Sequence, residues 1–167
     1  MSTLNITDFD ITEDRGFLTL HVLDQVVRPE VFAPIIIDDK KLSDYITAGR
    51  VHVFLEQLPE IDIDKHLDKL DDAQLRMLMV HYSFIVQTYV WGEETTPQSL
   101  PRNLAVPYCK LADKIGQFPL LPYTAYTLDN WAKLDKSGDI TLENIYVIQN
   151  FIDGMDENWF IMVHVEI

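Results

Sequence analysis

The chain has 167 residues, 47% hydrophobic and 11% aromatic, with 13 Lys+Arg against 27 Asp+Glu. Apolar residues are plentiful enough to offset chain entropy, which argues against disorder and for one globular domain or a piece of a larger one. The formal charge of −14 repels phosphate, so nucleic acid and anionic membrane surfaces are excluded as expected partners. Cys109 is a lone cysteine and cannot close an intrachain disulfide. The N-terminus is acidic where a targeting peptide would be basic, and no apolar run approaches the roughly 18 residues of a membrane span. A cytoplasmic protein without membrane association is the expectation.

In chain order, residues 1–39 read as irregular apart from Phe17 to Leu23, whose alternation suits a short strand. Pro29 and Pro34 break the chain before the buried-looking run Ile35, Ile36, Ile37. From Lys41 the period becomes helical: Leu42, Tyr45, Ile46, Val53, Phe54 and Leu58 share one stripe, weakened at Gly49 and ended at Pro59. The clearest helix starts at Asp71 or Asp72, whose carboxylates suit an N-terminus, and runs through Leu75, Leu78, Met79, Tyr82, Ile85, Val86 and Tyr89 to Gly92. It is apolar on most sides and reads as a core element.

A loop from Glu93 to Arg102 leads to a helix from about Asn103 to Gly116, with Pro107 in its first turn. Tyr123 to Trp131 and Thr141 to Ile152 read as two further helices, the second capped by Thr141. The last segment, Trp159 to Ile167, is almost uniformly apolar behind a capping residue, Asp156. Phe160, Met162, His164 and Glu166 alternate, which leans to strand, while Phe160 and His164 also lie one helical turn apart. A segment this apolar must bury every side, and it ends without glycine, proline or a polar tail, which suggests a chain cut short. The fold class read from these patterns is mainly α with minor β, the strand lying at the N-terminus.

Of the five histidines, His21, His52, His66, His81 and His164, no two have the spacing of a zinc-binding helix, and no metal site is expected. His164 stands out because its apolar neighbours predict burial; by itself this reads as a structural histidine with a hydrogen-bond partner. Asp135 to Glu143 echoes the end of a calcium loop without its carboxylate ladder, and reads as a turn plus helix cap. The acidic run Asp62 to Asp72 is interleaved with lysine and leucine and reads as a solvated face or loop. Cys109 is expected to be a buried, inert thiol. Glycine-rich phosphate loops and a nucleophile elbow are missing, so nucleotide chemistry has no support. Tyr123, Tyr126, Trp131, Trp159 and Phe160 could line an apolar ligand pocket, although such spacing more often means core.

Three blocks carry a family resemblance: Tyr89-Val-Trp-Gly, Leu100-Pro-Arg-Asn-Leu-Ala-Val-Pro-Tyr-Cys109, and Pro122-Tyr-Thr-Ala-Tyr-Thr-Leu-Asp-Asn-Trp131. With Leu142-Glu-Asn and Trp159 to Ile167 they make essentially the whole chain resemble the N-terminal part of the indoleamine 2,3-dioxygenase family. The resemblance implies the small N-terminal domain over residues 1–155 and, over 156–167, the first segment of the distal-side helix of a large all-α haem domain, the remainder being absent. It makes the last segment helical. It also implies a haem b dioxygenase that takes dioxygen and L-tryptophan, or a related indole, and cleaves the indole C2–C3 bond to give N-formylkynurenine.

Carried over by position, Tyr123, Tyr126 and Thr127 resemble the small-domain lining of the indole pocket. Phe160 resembles a distal phenylalanine that packs on indole, and His164 falls at the distal position. Serine stands there in the animal enzymes, and histidine resembles the related tryptophan 2,3-dioxygenases, where it hydrogen-bonds the indole N–H. A shift of register would place Met162 there instead. Tyr126 and Thr127 depart from the smaller or apolar residues of the animal enzymes, which bears on substrate range. The proximal histidine and the arginine for the substrate carboxylate belong in the family beyond Ile167, so haem would be held only together with the missing part, and the 167 residues alone are expected to be inactive. Two alternatives stand beside this reading: a stand-alone, non-enzymatic module whose Trp159 to Ile167 surface meets a complementary chain, and a haem protein acting on a different indole.

Overall fold

The computed structural model describes residues 4–9, 11–13, 16, 18, 23, 26–152 and 154–166. Its elements are α1 (Asp39–Thr47), α2 (Val51–Glu56), α3 (Asp72–Trp91), α4 (Arg102–Lys114), β1 (Trp131–Lys133), β2 (Ile145–Val147) and α5 (Met155–Glu166), joined by short 3₁₀ turns and one π-helical turn, Thr124–Leu128. Helix α3 is the axis of the molecule. Every residue from Met77 to Val86 is buried, because apolar side chains occur all around the helix and each side needs a covering layer. Its start is set by a capping box: Asp71 Oδ1 accepts from Gln74 N at 2.8 Å, and Gln74 Oε1 accepts from Asp71 N at 3.1 Å.

The single helix expected over 41–58 is two. Gly49 at φ +61° turns the chain between α1 and α2, with Arg50 N donating to Tyr45 O at 3.0 Å. That left-handed conformation costs glycine little, so the turn forms where the helical stripe is weakest. Tyr45 and Phe54 then stack at 4.0 Å, so the shared apolar stripe is satisfied by folding it on itself. Helix α4 covers another side of α3 with Leu104, Tyr108, Leu111 and Ala112, and the buried Tyr108 and Ser83 hydroxyls lie 2.8 Å apart. Pro107 sits beyond the first turn of α4, one turn deeper than expected, and leaves the Asn103 carbonyl without its usual helical donor. Cys109 lies off the buried stripe and is exposed, which corrects the expectation of a buried thiol. Lys110 pairs with Asp64, Lys114 with Asp68 at 2.8 Å and Arg102 with Glu60 at 3.0 Å, so the acidic run is a solvated strap along α4.

The segment Thr141–Ile152 is not helical. Ile145 and Val147 are buried and Tyr146 is exposed, a period of two, and β2 pairs antiparallel with β1 in the register Trp131↔Val147, Ala132↔Tyr146, Lys133↔Ile145. The expected helix over Tyr123–Trp131 is only a π-helical turn, and Trp131 opens β1. The Asp135–Glu143 stretch is the hairpin connection instead of a helix cap: Asp135 Oδ1 accepts from Ser137 N at 2.9 Å and from its hydroxyl at 2.7 Å, and the Asn144 amide donates to Asp135 O and Asp139 O. The strand expected at Phe17 to Leu23 lies largely outside the described residues; Leu18 and Leu23 are described and buried. The minor β of the fold is thus seen in this hairpin.

The final segment is helix α5, as the resemblance implies and against the lean to strand of its alternation alone; an apolar run flanked by buried partners on two elements can satisfy its backbone internally and still bury side chains on several sides. A second, smaller core of Leu18, Trp131, Ala132, Ile145 and Val165 joins α5 to the hairpin. Asn130 holds the base of the hairpin, donating through Nδ2 to Gln149 O at 2.8 Å and accepting from Gln149 N at 2.9 Å. Gln149 Oε1 in turn accepts from His81 Nδ1 at 3.2 Å.

Two outcomes follow for stability. Asp71→Ala removes one side of the capping box and is expected to cost about 1 kcal/mol in urea unfolding. Burial pushes the His81 imidazole from 6.5 down to about 4, against the hydrogen bond it donates to Gln149. The unfolded chain therefore binds this proton first, and stability is expected to fall by about 3 kcal/mol as pH drops from the unfolded to the folded value, with no further loss from this group below that. Denaturant midpoints across pH for the wild type and His81→Met check this: most of the slope in that window should disappear in the variant.

Candidate functional site

Helix α5 sorts its side chains by angle. Ile161 and Val165 are buried, Met162 packs against the Trp131 core, and Phe160 and His164 lie one turn apart on the neighbouring stripe with ring centroids at 4.6 Å. Tyr123, at the entry of the π-helical turn, meets His164 edge-on at 5.5 Å. Tyr126, one turn further, lies 5.9 Å from Phe160 and 6.2 Å from Phe151, which packs on Phe84 of α3 at 4.5 Å. An aromatic path thus runs from the central helix to the surface, ending in the half-buried His164 ring.

Of the sequence-predicted site residues, Tyr123, Tyr126, Phe160 and His164 are brought together. Thr127 stands apart: it is fully buried, and its hydroxyl donates to Tyr123 O at 2.8 Å, bracing the turn that presents the two tyrosines. His164 Nδ1 lies 2.5 Å from Phe160 O, and since a carbonyl only accepts, Nδ1 carries the proton in the neutral ring. Nε2 is then an acceptor, suited to an N–H or O–H donor approaching the aromatic face.

Glu157 was not singled out from the sequence, although an acidic residue in the first turn of an apolar helix is a recognisable anchor for preceding backbone amides. It accepts from Phe151 N at 3.1 Å, Ile152 N at 3.2 Å and the Tyr126 hydroxyl at 3.3 Å. Burial, and then the Glu157 charge beside it, push the Tyr126 hydroxyl up to about 12, so it is a neutral donor at physiological pH.

The outer side of this cluster is uncovered. Met155 is 84% exposed, Trp159 57%, Tyr123 55% and Phe160 42%, a contiguous apolar set of the kind that marks a binding or interaction surface. Among the described residues no group of three or more His, Cys, Asp or Glu could hold a metal ion, so a metal-bearing group would find here a single imidazole and aromatic walls. A haem needs no such cluster from the protein, and at this face Phe160 and His164 are the side chains that would meet it.

Glu157→Ala strands two backbone amides and the Tyr126 hydroxyl, and is expected to cost about 2 kcal/mol; Glu157→Gln, which keeps one acceptor oxygen, should recover part of that loss in the same denaturation measurement.

The sequence profile described as Indoleamine 2,3-dioxygenase matches residues 5–167. Indoleamine 2,3-dioxygenase 1 of Rattus norvegicus is 33% identical over 161 residues, 95% of this chain and 38% of that protein. Indoleamine 2,3-dioxygenase of Saccharomyces cerevisiae is 30% identical over 123 residues, 70% of this chain and 27% of that protein. A protein of Haliotis diversicolor named Myoglobin is 27% identical over 165 residues, 98% of this chain and 40% of that protein. This chain therefore spans less than half the length of each of these relatives. With the profile matched from the fifth residue to the last, and a mainly helical fold with a small hairpin, the chain belongs to the indoleamine 2,3-dioxygenase family.

Proposed function

We propose that this chain forms the small-domain wall of the substrate pocket in a haem-dependent dioxygenase that cleaves the indole C2–C3 bond of L-tryptophan or a related indole. The observation that carries the reading is the placement of His164 on one exposed aromatic face with Tyr123, Tyr126 and Phe160. Haem, when bound, supplies the activation of dioxygen. The residues of this chain bind and orient. Phe160 and Tyr126 offer rings for an indole to pack on, and His164 Nε2 offers an acceptor for the indole N–H. The apolar side chains around them exclude water, and the neutral Tyr126 hydroxyl is held away from the face by Glu157.

On this reading residues 1–155 are the small domain and 156–167 the start of the distal-side helix. The proximal ligand and the group holding the substrate carboxylate come from chain outside these 167 residues, a view supported by the 38% coverage of the rat relative. A cytoplasmic location is part of this proposal, resting on the acidic N-terminus and the lone cysteine of the sequence. Met162 packs inward against the hairpin core, which favours His164 over Met162 as the distal group. The Haliotis relative named Myoglobin favours one second reading, a haem protein without indole turnover.

The 167-residue chain with haem, reductant and L-tryptophan should form no N-formylkynurenine above a haem-only control. In the protein carrying a haem domain, His164→Ala should lower kcat/KM for L-tryptophan by about tenfold or more, the scale of one lost hydrogen bond to the reacting group, while Met162→Ala leaves it within about threefold. Reversal of those two results would move the distal role to Met162, and tight oxygen binding without product would support the second reading.

A further inference from the structure

A pocket of about 240 Å³ opens where the end of α1, the C-terminal turn of α3 and the chain before α5 meet. Its wall includes Ile46, Thr88, Trp91, Leu121, Phe151 and Ile152, and no charged side chain lines it. Trp91 is 69% exposed at the end of an otherwise buried helix, and its indole N–H donates to Gln87 Oε1 at 2.9 Å, so the ring is held as a platform with its polar edge already used. Gln87 also lines the pocket and is its accessible polar side chain, whereas the buried Thr88 hydroxyl is sealed from solvent. An apolar wall, a fixed aromatic plane and one polar group are what a flat, neutral ring compound with a single polar substituent requires. The volume lies below the roughly 300 Å³ at which sites for drug-sized ligands begin, which limits the occupant to one or two fused rings. The net charge of −14 and the neutral wall disfavour an anion.

The pocket shares a wall with the aromatic face described above. Phe151 lines the pocket and packs on Tyr126, and the Phe151 and Ile152 amides are both held by Glu157, which also accepts from the Tyr126 hydroxyl. We infer that this pocket is a second small-molecule site, for a neutral mono- or bicyclic aromatic, whose occupancy is passed to Tyr126 and Phe160 through Phe151 and Glu157. The inference does not rest on the haem reading, since every group in it belongs to the described chain.

Titration of the 167-residue chain with 2-naphthol, followed by NMR, tests it. Saturable shifts are expected at the Ile46, Leu121 and Ile152 methyls and at the Trp91 indole N–H, with 2-naphthoate binding about tenfold more weakly because its charge loses solvation at a neutral wall. Trp91→Ala removes the platform without overpacking, and Leu121→Trp fills the space; each should weaken binding about tenfold or more. The Tyr126 and Phe160 ring resonances should move on binding to the wild type and stay still in Glu157→Ala. Shifts that never saturate, that centre on Met155 and Trp159, or that survive both pocket variants would overturn the site. Binding that leaves Tyr126 and Phe160 unmoved in the wild type would overturn the coupling.

Discussion

The constraint on which the rest depends is a helix with no solvent side over its middle. From Met77 to Val86, α3 places buried residues on every face, including His81, Ser83 and Tyr82, so other elements must surround it. The folded pair α1–α2, the strap and α4, and the π-helical turn with Phe151 each cover one sector. The break at Gly49 serves the same requirement, because two short helices stacked through Tyr45 and Phe54 wrap a cylinder better than one straight rod. Some polar groups of this interior are paired, as Ser83 with Tyr108 and His81 with Gln149, while the buried Tyr82 and Thr88 hydroxyls are left without a hydrogen-bond partner, at the cost of their hydration.

The functional face is a by-product of how that wrapping ends. The hairpin and α5 form a second, smaller core, and α5 must serve two neighbours at once: Met162 and Val165 face the hairpin, while Phe160 and His164 join the aromatic path that begins at Phe84. What remains on its outer side, Met155 and Trp159, has no cover within the described residues. The apolar surface of α5 exceeds what a two-stranded hairpin covers, and the surplus stays exposed. Glu157 is the link between the two halves, since one carboxylate fixes the backbone of residues 151–152 and the ring of Tyr126 together.

On the proposed reading, that arrangement bears on which indole is accepted. Tyr126 carries a hydroxyl that is committed to Glu157, and its ring packs beside Phe160 and Phe151. Thr127 is buried and spends its hydroxyl on Tyr123 O, acting on the pocket only by holding the turn. On the proposed reading, Tyr126 is therefore the one of the two that would alter the shape of an indole-facing surface.

The amino-acid sequence by itself determined the mainly helical class, the limits of α3, the core list along it and the family, because each of these rests on local patterns: a cap at Asp71, an uninterrupted apolar run, a stop at Gly92, and blocks of residues specific enough to be recognised. Tertiary structure decided the hairpin, the exposure of Cys109 and the helical state of the last segment. Ile145-Tyr146-Val147 alternates too briefly to outvote the surrounding helical spacing, and its strand exists only because β1 offers a partner and Asn130 locks the base. The segment from Phe160 to His164 satisfies both periods, so its spacing alone does not select the helix; the resemblance implies it, and packing against Tyr123, Tyr126 and the hairpin core accounts for it. For the same reason the nearness of Tyr123 and His164, 41 positions apart in the chain, could be implied by resemblance but not read from spacing: contact between distant residues is a property of packing, which no local pattern contains.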